Sequence, residues 1–164
     1  MPGTNPVEVD LLGQIKTTLD LFKDTDNVKF QVKWPHESKV FIYADREHLN
    51  GIFSNLFKNS IQAIPPEKEG LICVTLEVIR NKVLVSVEDN GTGIPEGLQK
   101  KLFTPNFTTK SSGTGLGLSI VKKYVEGIKG RIWFESEPEK GTTFHIEFPL
   151  KYTVETPGGG SKGA

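Results

Sequence analysis

Hydrophobic positions in this chain alternate between two periods, and the switches mark out its elements. Val7, Val9, Leu11, Leu12, Ile15, Leu19 and Phe22 mostly recur every three or four residues, which predicts an amphipathic opening helix, weakened at Gly13 and Thr17-Thr18. From Val28 the period drops to two. Val28, Phe30, Val32 and Trp34 alternate with Lys29, Gln31 and Lys33, a strand that Pro35 breaks before a second short strand, KVFIYA. Asp45 then stands where a helix cap belongs. Behind it Leu49, Ile52, Phe53, Leu56, Phe57, Ser60, Ala63 and Ile64 share one broad helical face, and Pro65-Pro66 ends it. LICVTLEVI and KVLVSVED read as β-branched strands joined at Arg80-Asn81, and a short helix follows Pro95. Phe103 to Gly117 contains no aliphatic residue before Leu116 and reads as a long loop. A helix with Leu118, Val121, Tyr124, Val125 and Ile128 on one face comes next. RIWFESE and TTFHIEFPL, separated by Pro138 to Gly141, close the pattern. Tight-turned strands mixed with one-sided helices predict an α/β two-layer sandwich, its mixed sheet covered on one face by helices. The expected division is a partly helical connecting segment at 1–27, a folded domain at 28–152, and a loose glycine-rich tail at 153–164.

Composition narrows the function classes. At 164 residues the chain suits one domain with short tails. Twenty basic residues balance 20 acidic ones, which argues against nucleic acid as a partner. The single cysteine, Cys73, excludes an internal disulfide framework and a cysteine-based zinc cluster, and its strand parity makes it a packing residue. No apolar run approaches the ~20 residues that span a bilayer. MPGTNPVEVD lacks the blocks of a secretory signal. These features point to a reducing, aqueous compartment.

Four local patterns carry candidate chemistry. Asn55 and Asn59 lie one turn apart on the Asp45-capped helix, with Gln62 on the same stripe. Their carbonyl oxygens suit a hard cation such as Mg²⁺, although a polar flank meeting water has the same spacing. Asp89 shares the parity of Val83, Val85 and Val87, so the face that buries three valines turns a carboxylate inward at the strand's end. Such a charge needs a donor, and adenine's exocyclic amine is one. Gly91 and Gly93 follow at once, and Asp-Asn-Gly is equally ordinary turn sequence. Gly113, Gly115 and Gly117 lead into a helix, where free N–H groups and the dipole favour phosphate, with Lys110 just upstream. Finally, Phe103 and Phe107 frame a polar loop, the mark of a lid anchored at its root.

The ordered set of asparagine pair, Asp-x-Gly-x-Gly, Phe-x3-Phe-Thr-Thr-Lys and Gly-x-Gly-x-Gly resembles the N, G1, F and G2 boxes of sensor histidine kinases. It spans about Ala44 to Pro149. The resemblance implies the ATP-binding domain shared with gyrase, heat-shock-90 and mismatch-repair ATPases, a Bergerat-type fold. By similarity, Asn55 and Asn59 would form the N box, with Asn59 the direct Mg²⁺ ligand. Asp89 would accept from the adenine amine, and Gly91, Gly93 and Ile94 would lie near the base. Thr109, Lys110, Gly113, Gly115, Leu116 and Gly117 would belong to the ATP lid, with Asn55 and Lys110 supporting transfer. Thr142 would back a water beside Asp89. Gln62 departs from the Lys or Arg of many members, and nitrogen-regulation-like kinases share the Gln-Ala choice. Phosphate charge is therefore expected to fall to Mg²⁺ and Lys110.

The resemblance also implies an acceptor histidine on a separate helical hairpin, and a response regulator downstream. His36, His48 and His145 each read as surface residues rather than as that acceptor. The expectation is a catalytic part without its acceptor, cytoplasmic, with no membrane contact of its own, in a parent protein either free or membrane-anchored. An anti-sigma-type serine kinase and a non-catalytic pseudokinase module are the alternatives.

Overall fold

The computed structural model describes residues 4–34, 38–104 and 117–155. Five strands form the main sheet: β2 (Val28–Lys33), β4 (Gly70–Ile79), β5 (Lys82–Asp89), β6 (Arg131–Glu137) and β7 (Gly141–Pro149). Their order is β2-β4-β5-β7-β6; β2 and β4 run parallel and the other pairs antiparallel. The sheet is thus mixed, as the pattern predicts. Val83, Val85 and Val87 on β5 and Phe144, Ile146 and Phe148 on β7 are buried against the helices. The helices are α1 (Leu11–Leu19), α2 (Arg46–Gln62), the short α3 (Glu96–Gln99) and α4 (Gly117–Gly127), with α2 packed between α1 and α4.

A second sheet was not foreseen. β1 (Pro6–Asp10), β3 (Ser38–Asp45) and β8 (Tyr152–Glu155) form an antiparallel sheet in the order β1-β3-β8. The opening is therefore a strand followed by a helix, not one amphipathic helix. Val7 and Val9 pair with Ala44 and Ile42, and Asp10 ends the strand by capping α1, its Oδ1 accepting the Gly13 N–H at 3.3 Å. Residues 153–155, read as the start of a loose tail, belong to β8. Tyr152 stacks on Phe41 at 4.9 Å and donates to Glu8 Oε2 at 2.8 Å, which holds the strand down. Residues 156–164 lie outside the described residues.

One hydrophobic core joins both sheets and the helix layer. Val9, Leu11, Ile15 and Leu19 belong to it, so the opening segment is packed rather than trailing. Phe57 sits at its centre, fully buried, with Phe22, Phe30 and Phe53 at ring distances of 5.9, 6.3 and 6.2 Å. The edge-on contacts with Phe22 and Phe30 tie α2 to the α1–β2 region and so set how α2 presents its asparagines. Phe57→Ala is expected to lower the unfolding free energy by about 3–5 kcal/mol, measured by urea denaturation. A loss below 1 kcal/mol would show that this cluster does not anchor α2.

Candidate active site

Strand register brings the site together. Asp89 closes β5 and pairs directly with Thr142 at the start of β7 and with Ile72 of β4. Its inward parity puts it under the helices, only 4 % exposed. Oδ1 accepts the Gly91 N–H at 2.9 Å and the Thr142 N–H at 3.4 Å. Burial outweighs these bonds and holds the Asp89 carboxyl above the ordinary carboxylate range. Ser60 of α2 is close enough to favour the ionised carboxylate, yet its Oγ makes no hydrogen bond of ordinary geometry. That hydroxyl is 1 % exposed. A buried, unpartnered hydroxyl beside a buried carboxylate suits a ligand or water carrying complementary donors and acceptors.

The loop after Asp89 is lashed down on three sides. Thr92 N–H bonds the Ala63 carbonyl at the end of α2, at 2.9 Å. Ile94 N–H bonds Ser136 Oγ at 2.8 Å, and Ser136 in turn lies 2.8 Å from Thr142 Oγ1. Asn90 Oδ1 accepts the Leu71 N–H at 2.8 Å. The loop passes so close to α2 that a methyl at position 91 would meet the Ala63 oxygen at 2.5 Å, which is why glycine stands there. Gly93 sits in the left-handed region, at φ +74°.

On α2 both asparagines bond back to their own helix. Asn55 Nδ2 donates to the Gly51 carbonyl at 2.8 Å, and Asn59 Nδ2 donates to the Asn55 carbonyl at 2.9 Å. Each amide also carries a carbonyl oxygen, a donor of the hard-cation type. Asn55 Oδ1 faces the first residue of α4: a methyl at Gly117 would stand 2.9 Å from it. Gln62 is exposed at the end of α2. Phe103 meets Phe134 at 5.8 Å and Phe144 at 6.5 Å, which packs it against β6 and β7.

The structure groups Asp89, Gly91, Gly93, Ile94 and Thr142 around the end of β5, and Asn55, Asn59 and Gly117 along the facing parts of α2 and α4. Phe107, Thr109, Lys110, Gly113, Gly115 and Leu116, like His36, lie outside the described residues. Ser60, Asn90 and Ser136 were missed as site residues. Ser60 and Ser136 were findable by the signal that picked out Asp89, a polar side chain at an inward-facing position. Two histidines need correction. His48 is 17 % exposed, its ring stacked on Tyr124 at 4.2 Å. His145 is 16 % exposed, bonded to Ser86 Oγ at 2.8 Å and Glu135 Oε2 at 2.7 Å beneath Trp133. Aromatic neighbours partly cover both rings, so the two side chains are half-buried rather than fully exposed.

Asp89 yields a paired prediction. Its carboxyl is raised, so the folded state keeps the proton to higher pH than the unfolded chain does. Stability falls as pH climbs from ~4 through the raised value, then stays lowered. Asp89→Asn should therefore raise the melting temperature at pH 7–8 and change it little near pH 3.5. It should also weaken adenine-nucleotide binding roughly 10–100-fold, since an amide nitrogen replaces an acceptor. Thermal melts across pH and calorimetric titration read the two effects. Unchanged affinity would remove Asp89 from the site.

A sequence model described as "Histidine kinase-, DNA gyrase B-, and HSP90-like ATPase" matches residues 44–152. Sporulation kinase A of Bacillus subtilis (strain 168) is 33% identical over 141 residues, covering 86% of this chain and 23% of that protein. The nucleotide-free catalytic domain of histidine kinase ThkA superposes with a TM-score of 0.79 at 37% identity, over 89% of this chain and 96% of that one. Histidine kinase ThkA in complex with response regulator protein TrrA gives 0.74 at 35% identity, over 89% and 42% of the respective chains. The chain spans between about a fifth and a third of the length of the curated relatives it matches. With Asp89 and its glycine loop set on a mixed-sheet sandwich, this chain belongs to the histidine kinase-, gyrase B- and heat-shock-90-like ATPase family, as the ATP-binding domain of a sensor histidine kinase.

Proposed function

We propose that this domain binds ATP with Mg²⁺ and donates the γ-phosphoryl group to a histidine on a separate helical hairpin, in two-component signalling. The observation that carries the reading is Asp89: a buried carboxylate with one oxygen held by two backbone N–H groups and an unpartnered hydroxyl beside it. In this reading its other oxygen accepts from the adenine amine. Thr142 and Ser60 hold a water at the same edge of the base, while Gly93 and Ile94 flank it. Mg²⁺, when bound, neutralises phosphate charge. Asn59, through its amide oxygen, would be the residue to hold it, and Lys110 would add a positive charge toward the phosphates.

Asn55 separates transfer from hydrolysis. Its nitrogen is tied to Gly51 and its oxygen belongs to a neutral amide, so it cannot take a proton from water. The resemblance to the gyrase, heat-shock-90 and mismatch-repair ATPases implies a glutamate at this position in those hydrolysing members, acting as base toward water. A domain without that base favours transfer to a positioned acceptor, chemistry that needs orientation and charge stabilisation above all. Aromatic rings partly cover His48 and His145, which supports an acceptor on a separate hairpin; His36 lies outside the described residues. The relative ThkA is seen with a response regulator. We take a response regulator as this protein's downstream partner too.

The chain alone, given radiolabelled ATP and Mg²⁺, should bind nucleotide and gain no phosphohistidine. Adding its cognate hairpin should yield acid-labile phosphate on the hairpin. Acid-stable phosphate would instead favour the serine-kinase alternative, and labelling of the isolated chain on histidine would overturn the missing-acceptor reading. In the same assay Lys110→Ala should slow transfer and weaken ATP binding roughly tenfold, the scale of one charge-assisted contact. An unchanged rate would remove Lys110 from the phosphate site.

A further inference from the structure

Two contacts between α2 and α4 share one spacing. At one end, Tyr124 of α4 stacks face to face on His48 of α2, ring centroids 4.2 Å apart and 9° from parallel. The edge of the same Tyr124 ring lies over Gly51, so close that a methyl there would stand 3.1 Å from Cε2. At the other end, Gly117 of α4 abuts Asn55 Oδ1. His48 and Asn55 are seven residues apart, as are Gly117 and Tyr124. Pairing 48 with 124 and 55 with 117 means the helices run antiparallel, with two contacts two turns apart, about 10.5 Å along the axis.

That match has a mechanical consequence. A helix is stiff over two turns, so fixing Tyr124 on His48 fixes where the first turn of α4 stands against Asn55. Slipping α4 by one residue along α2 would displace Gly117 by about 1.5 Å, and turning it would swing Gly117 away from the amide. Flat stacking resists both movements, because the rings lie nearly parallel with centroids 4.2 Å apart and Gly51 closes one side. Val121 and Val125 bury α4 against the core, but smooth aliphatic contacts define register less sharply than an aromatic stack does. Asp45 adds a restraint at the far end of α2, capping it through the Glu47 N–H at 2.8 Å and lying 4.0 Å from His48 Nε2.

We propose that the His48–Tyr124 stack is a positioning element for phosphate binding: it sets the register of α4 on α2 and thereby the placement of the Gly117 turn against Asn55. Neither residue touches nucleotide. The proposal rests on the ATP reading above, and it predicts a split between ligands with and without phosphates. Adenine is held by β5, β7 and the C-terminal half of α2, which do not depend on the stack.

The test titrates the chain with ATP·Mg²⁺ and with adenosine, followed by NMR chemical shifts. Tyr124→Phe keeps the ring and should bind both ligands within about twofold of wild type. Tyr124→Leu should weaken ATP·Mg²⁺ roughly 5–10-fold while adenosine stays within twofold. His48→Leu should show the same split, and the double variant should lose no more than the worse single one, because both remove one interaction. His48→Leu also serves as the readout should Tyr124→Leu fail to fold. Equal losses for both ligands, additive losses in the double variant, or a Tyr124→Phe as weak as Tyr124→Leu would each overturn the positioning role. A wild-type chain that binds neither ligand would overturn the nucleotide reading itself, and this proposal with it.

Discussion

A carboxylate held out of water at the end of a central strand is the constraint around which this domain is arranged. Desolvating Asp89 is costly, and two backbone N–H groups on one oxygen offset only part of that cost, as its raised pKa records. Those donors exist because of larger features. The Thr142 N–H is available because β7 begins opposite the last residue of β5. The Gly91 N–H reaches back because the chain turns at once beneath the end of α2, where only glycine fits under the Ala63 carbonyl. The β6–β7 turn is drawn in by Ser136, which touches both Ile94 and Thr142. A fold selected for stability alone would place a valine at position 89, continuing the row from Val83. Keeping the charge there costs stability, a cost that the proposed contact with adenine would explain.

Most of the main sheet and of the site was legible because the signals are local. Period-two alternation located β2, β4, β5, β6 and β7, a capping aspartate located α2, and parity alone placed Asp89 inward. The failures share a cause as well. Val7 and Val9 fit both a helical stripe and an alternating strand, and only their pairing with Ala44 and Ile42, some 35 residues away in sequence, decides between them. β8 looked like tail because its four residues are all exposed; a stacked ring and one phenol hydrogen bond hold it in place. His48 and His145 were read as exposed because no single-chain pattern reports which aromatic ring will cover a histidine.

Ser60 and Ser136 mark a different limit. Each is a small polar residue on an otherwise apolar face, and such residues are common enough that position alone carries little weight. What distinguishes them is company. Ser136 is satisfied by the loop and by Thr142, whereas Ser60 is left without a bond next to Asp89. One therefore shapes the site and the other stands ready to be satisfied within it. Separating these roles needed distances, which depend on how α2, β6 and the glycine loop converge.

The asparagines show why residue type, and not only position, bears on the chemistry. Asn55 does two things at once: it donates to the Gly51 carbonyl and turns its oxygen toward the first residue of α4. A carboxylate at this position would have no hydrogen to give Gly51, so the bond that orients the side chain along α2 would be lost. It would also bring negative charge to the place where phosphate oxygens are expected and supply a base able to activate water. A neutral amide avoids both effects and keeps its geometry without a ligand. The amide group that lets Asn55 bond Gly51 and present an oriented oxygen is thus the same feature that makes it unfit as a hydrolytic base.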